Sequence, residues 1–351
     1  MIIKRFTAKD IRKATMVLCL TVATTAVSGC AILSKPQASP RVPAPVTEDG
    51  MTLDWGSEVK TEALSLIRSS HRYCYLDIYE LSDRDVLDAL AAAKRRRVDV
   101  RVVLDATESH SQSVGVPTLE KDGVPTLSLH IAQGISHLKM LVADGRVLIG
   151  GMNFGSGSWL NNDASVYLTR ANPSFVSLFR WDWTRADGIP SAPPAYEPPL
   201  LDDRWNEEKV VQSIQSASRS ISMEAFDLSD DAVVNALDGA VRRGVVVKLL
   251  LDPGQTYSRE PARELADDGA TVRYYTPYQG EWMHAKILDI DGGRIFIIGS
   301  ANFSHQAYTY NHEADILLRN VPRFDAALQD NLVVQMSRGT TSPGPSSYSN
   351  Y

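Results

Sequence analysis

The chain has 351 residues, of which 36 are Lys or Arg, 42 are Asp or Glu, and 44% are hydrophobic. This length suffices for two ordinary domains or one large one, and the apolar fraction is that of a globular protein rather than a fibrous or disordered chain. The acidic balance disfavours extended nucleic-acid binding, which depends on neutralising phosphates, although a local basic groove is compatible with it.

Residues 1–29 predict a bacterial secretory signal. Five basic residues precede an apolar run over 14–27, which is shorter than the roughly 20 residues of a membrane-spanning helix. The run ends in Val-Ser-Gly-Cys30, which resembles the lipobox, where the cysteine is lipidated and becomes the new N-terminus. The sequence therefore predicts an exported cell-envelope lipoprotein, anchored to a membrane through Cys30. Plain secretion and an uncleaved anchor are the alternatives, and the choice between inner and outer membrane stays open.

Changes in composition divide the rest of the chain. Residues 30–48 are rich in Pro, Ala, Ser and Val and predict a tether, and the Pro-rich segment 188–202 predicts a linker. Residues 339–351 predict a disordered tail. The segments between these markers, 49–187 and 203–338, are two candidate halves of one body.

The two halves repeat one pattern at an offset of 147 residues. Each reads strand, helix, strand, with Ser82 and Ser229 as candidate N-caps, each followed by an Asp. Each half closes with helical apolar spacing. The sequence thus predicts an α/β fold made of two duplicated layered units. Cys74 is the only cysteine beyond Cys30, in an apolar strand pattern, and is expected to be a buried, inert thiol.

The most specific signal is a motif that occurs once in each half, His-x-Lys-x4-Asp followed by Gly-Gly-x-Asn or Gly-Ser-x-Asn. An acidic residue follows about ten positions later. The motif residues are His137, Lys139, Asp144, Asn153 and Asp163 in the first half, and His284, Lys286, Asp291, Ser300, Asn302 and Glu313 in the second.

These residue types suit the chemistry of a phosphodiester. His and Lys two positions apart on a strand point to the same face, so two halves related by a pseudo-twofold axis would bring both pairs together. Lysine, asparagine and Ser300 can hold phosphoryl oxygens, while one histidine attacks phosphorus and the other protonates the leaving oxygen. Asp163 and Glu313 are candidates to orient the histidines. The lysines supply positive charge, so the sequence predicts neither a metal nor another cofactor.

The paired motifs identify the chain as resembling the phospholipase D superfamily over about residues 50–337. The resemblance implies two α/β/α sandwiches with the site at their interface and a reaction through a phospho-histidine without metal. It also implies that Asp144 and Asp291 are structural and that Asp163 and Glu313 orient the histidines. It favours His137 as the nucleophile and His284 as the acid and base. His312 is expected to be a supporting or surface histidine.

The function that these motifs favour is that of a phospholipase D-type phosphodiesterase acting on phospholipid headgroups. Because both half-sites lie in one chain, a monomer is expected. The enzymatic alternatives are a phosphatidyltransferase of cardiolipin synthase type and an exported nuclease. An envelope-binding lipoprotein without activity is the non-enzymatic alternative, and two intact motifs argue against it because a binder needs no nucleophile.

Overall fold

A computed structural model describes residues 43–203, 205–278 and 281–344. The predicted signal, the lipidation site at Cys30, most of the predicted tether and residues 345–351 lie outside this described part. Within it, no helix combines the length and apolar character needed to cross a bilayer.

The first half alternates strands with helices, as expected for a layered α/β unit. Its strands are β1 (Val46–Glu48), β2 (Met51–Trp55), β3 (Tyr73–Ile78), β4 (Asp99–Asp105), β5 (Thr126–Leu129), β6 (Lys139–Ala143), β7 (Arg146–Gly150) and β8 (Ala164–Leu168). Its helices are α1 (Ser57–Arg68), α2 (Arg84–Arg95), α3 (Val116–Lys121) and α4 (Pro173–Ala186).

The second half repeats this series. Its strands are β9 (Leu200–Asp202), β10 (Ser220–Ala225), β11 (Val246–Leu251), β12 (Thr271–Tyr274), β13 (Lys286–Ile290), β14 (Ile295–Gly299) and β15 (Ala314–Arg319). Its helices are α5 (Asn206–Gln215), α6 (Asp231–Arg242), α7 (Arg259–Asp267), α8 (His305–Thr309) and α9 (Pro322–Arg338).

The two sheets have the same strand order. The described first half forms an eight-stranded sheet in the order β1-β2-β8-β7-β6-β3-β4-β5, and the second a seven-stranded sheet in the order β9-β15-β14-β13-β10-β11-β12. Apart from β1, the sheets correspond strand for strand. The strands linked by helical crossovers are parallel, and the others are antiparallel. The duplication predicted from the sequence is therefore confirmed at the level of topology.

Three hydrophobic cores hold the layers together. One core lies between the sheets and contains the inner faces of both, with Phe175 and Phe179 of α4 and Phe324 and Leu328 of α9. The outer face of the first sheet packs against α1, α2 and α3, and that of the second against α5, α6 and α7. Each sheet thus has helices on both faces, which confirms two α/β/α sandwiches.

The segment boundaries differ from those expected from composition. Strand β1 lies inside the predicted tether (30–48), and β9 lies at the end of the predicted linker (188–202). Thr340, in the predicted tail, pairs through its backbone with Tyr274. All three are edge pairings, whose hydrogen bonds exist only once the sheet is assembled, so local composition does not reveal them.

The helix caps are shifted by one residue from the prediction. The N-caps of α2 and α6 are Asp83 and Asp230, not Ser82 and Ser229. Each Asp accepts hydrogen bonds from two backbone N–H groups of the first helical turn, and its negative charge also complements the helix dipole.

The motif aspartates lie in the turns that follow the central strands β6 and β13, at the ends of these strands away from the histidines. Asp144 and Asp291 have positive φ angles of 51° and 56°. The Asp144 carboxylate accepts the backbone N–H groups of residues 71–73, and Asp291 accepts those of residues 218–220. Because of these hydrogen bonds, which outweigh the opposing effect of burial, the pKa of Asp291 falls to about 2. This geometry matches the structural role expected for both residues.

We predict that Asp291→Ala lowers the free energy of unfolding by about 2 kcal/mol, because three partly buried backbone N–H groups and the Ser218 hydroxyl lose a charged acceptor. The folded pKa is below the unfolded one, so this contribution is present above pH about 4 and is lost as the pH falls towards 2. Urea unfolding at pH 7 and pH 3 measures it. An equal loss at both pH values would contradict the assignment.

Candidate active site

The site forms where the two halves exchange backbone hydrogen bonds. His137 and His284 each lie two residues before a central strand, β6 or β13. The N–H of His137 donates to the carbonyl of His312 at 2.8 Å, and the N–H of His284 donates to the carbonyl of Asn162 at 3.0 Å. Each histidine is therefore held by a loop of the opposite half.

The orienting carboxylates cross between the halves. Nδ1 of His137 lies 3.0 Å from both carboxylate oxygens of Glu313, and Nδ1 of His284 lies 2.6 Å from Oδ2 of Asp163. All four side chains are at least four-fifths buried. Because Nδ1 of each imidazole binds a carboxylate, Nε2 is the nitrogen available to react with a substrate. The sequence predicted the four residues, whereas their crossed pairing comes from the structure.

Ser300 has a different role from the one predicted. Its side chain is fully buried, and its Oγ donates to Oε2 of Glu313 at 2.6 Å while accepting the N–H of Ala314. A hydroxyl has one proton, so Ser300 orients Glu313 and is not placed to hold a phosphoryl oxygen. At the equivalent position, a Cβ on Gly151 would lie 2.2 Å from Oδ1 of Asp163. Glycine there makes room for the carboxylate.

The glycine that precedes each of these positions serves the sheet rather than a ligand. A Cβ on Gly150 would lie 2.4 Å from Cα of Ser165, and one on Gly299 would lie 1.9 Å from Oδ1 of Asp315. These two glycines therefore lie at contacts between neighbouring strands. They admit the neighbouring strands β8 and β15.

The two lysines are buried beside the histidines. Lys139 and Lys286 have exposures of 3% and 2%, and each Nζ donates to the carbonyl of the histidine two residues earlier. Burial lowers the pKa of Lys286 to about 8, against the attraction of Asp163 and Glu313, and also lowers the pKa of Lys139 well below its usual range. Charge held this far from water interacts strongly with a bound phosphate.

Two aromatic rings complete the half-sites. Tyr79 and Phe226 follow β3 and β10, and their ring centres lie 5.1 and 4.9 Å from the rings of His137 and His284. The lysine ammonium of the same half lies 5.1 Å from the Tyr79 ring and 5.2 Å from the Phe226 ring. These residues were missed in the sequence, although their offset of 147 residues is the signal that could have found them.

Burial sets the charge of the histidines. It lowers the pKa of His284 to about 4, with the Lys286 ammonium acting in the same direction and Asp163 against it. The pKa of His137 is also lowered by burial, although Glu313 opposes the shift. For Glu313, burial is outweighed by His137, which brings its pKa to about 2. Burial thus favours the neutral form of each imidazole, and the neighbouring carboxylate favours the charged form.

The predicted amides also lie at the site edge. Asn153 and Asn302 follow β7 and β14, and the chain after each is fixed by backbone hydrogen bonds from Phe154 to Glu80 and from Phe303 to Asp227. The side-chain oxygens of both asparagines are buried without a hydrogen-bond partner among the described residues. These oxygens need a donor such as water, whereas a phosphodiester anion, which only accepts, would pair with the amide N–H groups of the same side chains.

Comparison with known proteins agrees with this architecture. The family model described as "Cardiolipin synthase, PLD-like domain" matches residues 63–183 and 210–332. A phospholipase D of Rickettsia prowazekii is 32% identical over 136 residues, which cover 38% of this chain and 62% of that protein. Cardiolipin synthase A of Pseudomonas fluorescens is 25% identical over 303 residues, which cover 72% of this chain and 61% of that protein.

The chain therefore spans about three fifths of the length of these relatives. Among solved structures, phosphatidylserine synthase of Haemophilus influenzae has a similar fold, with a TM-score of 0.67 at 14% identity. The match covers 86% of this chain and 89% of that one. Since the family model covers both halves and each His-x-Lys motif, this chain belongs to the phospholipase D-like family that includes the cardiolipin synthases.

Proposed function

We propose that this protein is a phospholipase D-type phosphodiesterase that cleaves the headgroup phosphodiester of phospholipids through a phospho-histidine. One observation carries the proposal, namely the two crossed His–carboxylate pairs that meet, with two buried lysines, where the halves join. The family and the similarity to phospholipid enzymes support a phospholipid as the substrate.

In the first step, Nε2 of His137 attacks phosphorus. A P–N bond forms, the bond from phosphorus to the headgroup oxygen breaks, and His284 gives its proton to that oxygen. The low pKa of His284 in the free protein rises when the anionic phosphodiester binds, so the substrate itself helps to load the acid. Glu313 stabilises the positive charge that develops on His137.

In the second step, His284 acts as the base. It removes a proton from water, the resulting hydroxide attacks phosphorus, and the P–N bond breaks to release phosphatidic acid and free His137. An alcohol in place of water would give a new phosphodiester, which is the transferase alternative. The lysine ammonium groups and the Asn153 and Asn302 amides stabilise the charge on the phosphoryl oxygens in both steps.

The test is a substrate panel with the full chain in detergent micelles and EDTA. Phosphatidylcholine, phosphatidylethanolamine and phosphatidylglycerol are compared with single- and double-stranded DNA. We expect phosphatidic acid and free headgroup from at least one lipid. Cleavage of DNA alone would replace the proposal by the nuclease, and formation of cardiolipin from phosphatidylglycerol would favour the transferase. A strict need for added metal would contradict the metal-free mechanism.

We also propose that the protein is exported and anchored through a lipid on Cys30, which would keep the site beside its substrate. The support is the order of the basic, apolar and Val-Ser-Gly-Cys segments in residues 1–30. Metabolic labelling with a fatty acid should mark the protein and fail to mark Cys30→Ser. Mass spectrometry that finds an unmodified, uncleaved N-terminus would overturn the anchor.

A further inference from the structure

Behind each reactive histidine lies a buried polar cluster that the proposed reaction steps do not use. Each cluster joins three equivalent positions, which are an acid on the central strand β3 or β10, a residue of the central helix α4 or α9, and the residue just before the orienting carboxylate. The members are Asp77, Asp182 and His312 behind His137, and Glu224, Asn331 and Asn162 behind His284.

The cluster behind His284 is built from amides. Nδ2 of Asn331 donates to Oδ1 of Asn162 at 2.9 Å, and both amides donate to the Glu224 carboxyl, at 2.7 and 2.9 Å. Burial raises the pKa of Glu224 to about 7. The carbonyl of Asn162 accepts the N–H of His284, so this cluster holds the backbone of that half-site without a fixed positive charge.

The cluster behind His137 is ionic. The ring of His312 is 2% exposed, with Nδ1 hydrogen-bonded to Asp203 at 2.7 Å and Nε2 at an ion-pair distance of 3.0 Å from Asp182, without hydrogen-bond alignment. An imidazole that faces a carboxylate at each nitrogen carries both protons and is a cation. Although burial opposes it, Asp182 and Asp203 raise the pKa of His312 well above its usual range. His312 was expected to be a supporting or surface histidine, and the surface alternative is wrong.

Asp203 links this cation to the proposed chemistry. Its Oδ2 meets His312, while its Oδ1 accepts the backbone N–H of Glu313 at 2.5 Å. A carboxylate bound to the backbone of another carboxylate residue is repelled unless a cation compensates it. The carbonyl of His312 also accepts the N–H of His137. His312 is therefore linked to both members of the His137–Glu313 pair. Its backbone carbonyl binds the N–H of His137, and its side chain binds Asp203, which accepts the N–H of Glu313.

We propose that His312 is a positioning residue, whose imidazolium pairs with Asp203 and so fixes Glu313 against His137. The other half-site has an uncharged Asn162 in its place, so the pair that includes His137 is held ionically and the pair that includes His284 by amides. This assignment rests on the proposed function for its effect on turnover, but its geometric part does not depend on the substrate.

The first set of variants separates positioning from stability. His312→Asn installs the residue of the other half but leaves the buried Asp182 with Arg185 as its remaining charged partner, so the variant loses stability. His312→Asn/Asp182→Asn instead recreates the amide pair of Asn331 and Asn162 and removes that buried charge. It leaves Asp203 without its cation. Asp203→Asn removes the negative charge and leaves one acceptor oxygen for two donors, the His312 imidazolium and the Glu313 N–H.

We expect the double variant and Asp203→Asn to lower kcat by about 10- to 100-fold, the usual range for a lost supporting contact, with KM within about twofold. Asp291→Ala is the matched control. It lowers the free energy of unfolding from a turn at the far end of β13, so the kcat of the folded protein should be unchanged. A double variant that keeps kcat within about threefold would overturn the proposal. The proposal would also be overturned if kcat fell in proportion to the loss in free energy of unfolding in every variant, Asp291→Ala included.

A measurement without substrate keeps this test independent of the activity. The proton on Nδ1 of a histidine bound to a carboxylate gives a downfield NMR signal, and the signals of His137 and His284 are assigned with the His→Asn variant of each. In the double variant, the His137 signal should move or broaden while that of His284 is unchanged. If both signals persist unchanged, the positioning role is wrong, even when the unsubstituted protein cleaves phospholipids. If the signal shifts but no phosphodiester is cleaved, the proposed function fails and the positioning geometry stands.

Discussion

His137→Asn and His284→Asn are each expected to lower phospholipid turnover by at least about 10⁴-fold, as for the loss of one member of a nucleophile–base pair. Each histidine contributes a step that no other described side chain is placed to perform, because Glu313 and Asp163 face Nδ1 and not the reacting nitrogen. Asparagine keeps a polar group in the pocket, so the variants should still fold. The initial rate of phosphatidic acid formation measures the loss.

The two variants should differ with an activated substrate. A p-nitrophenyl phosphodiester has a leaving group that needs no proton, so His284→Asn should still form the P–N bond and release one equivalent of p-nitrophenolate. It should then stall as a phosphorylated protein, visible as a mass increase on the peptide with His137. His137→Asn should give neither burst nor adduct. The reverse pattern would exchange the two roles, and undiminished turnover in either variant would end the two-histidine mechanism. His71→Asn, an exposed histidine at the opposite edge, is the control.

Lys139→Met and Lys286→Met should lower kcat/KM by about 10²- to 10³-fold each and at the same time stabilise the fold. The rate falls because the transition state loses a charged donor in a site shielded from water. Stability rises because the lowered pKa values show that the folded environment disfavours the ammonium form. Methionine is of similar length and carries no charge, so both variants should need a higher urea concentration to unfold than the unsubstituted protein.

The charge of Lys286 should make both the free energy of unfolding and kcat/KM depend on pH. The folded pKa of Lys286 is about 8, below that of an unfolded lysine, so its cost to stability is present at neutral pH and disappears as the pH rises through 8 towards 10. In the unsubstituted protein, kcat/KM should decline above pH about 8 as the ammonium group loses its proton. Urea unfolding and initial rates between pH 6 and 10 check both trends. A destabilised Lys286→Met, or a rate that is flat up to pH 10, would contradict this account.

The sequence predicted the repeated strands and helices correctly but misassigned individual side-chain contacts. The 147-residue repeat predicted two equivalent sheets, because strands and crossover helices follow local hydrophobic patterns. The caps of α2 and α6 were misplaced by one residue, since Ser82 and Asp83 are both good caps and their local geometry decides between them. Ser300 was predicted to hold a phosphoryl oxygen, whereas its hydroxyl donates to Glu313, a residue 13 positions later in the chain.

The amino-acid sequence by itself determined the family, the duplicated α/β fold, and the histidine, lysine and acidic residues of the site. Their types and spacing repeat, and the chemistry of phosphate transfer restricts what such a set can do. Only the tertiary structure decided that Glu313 serves His137 and Asp163 serves His284, and that a buried cation stands behind one pair and amides behind the other. The physical reason is that these contacts join residues more than a hundred positions apart across an interface. A repeat, which is symmetric in the sequence, does not specify which half supplies the partner.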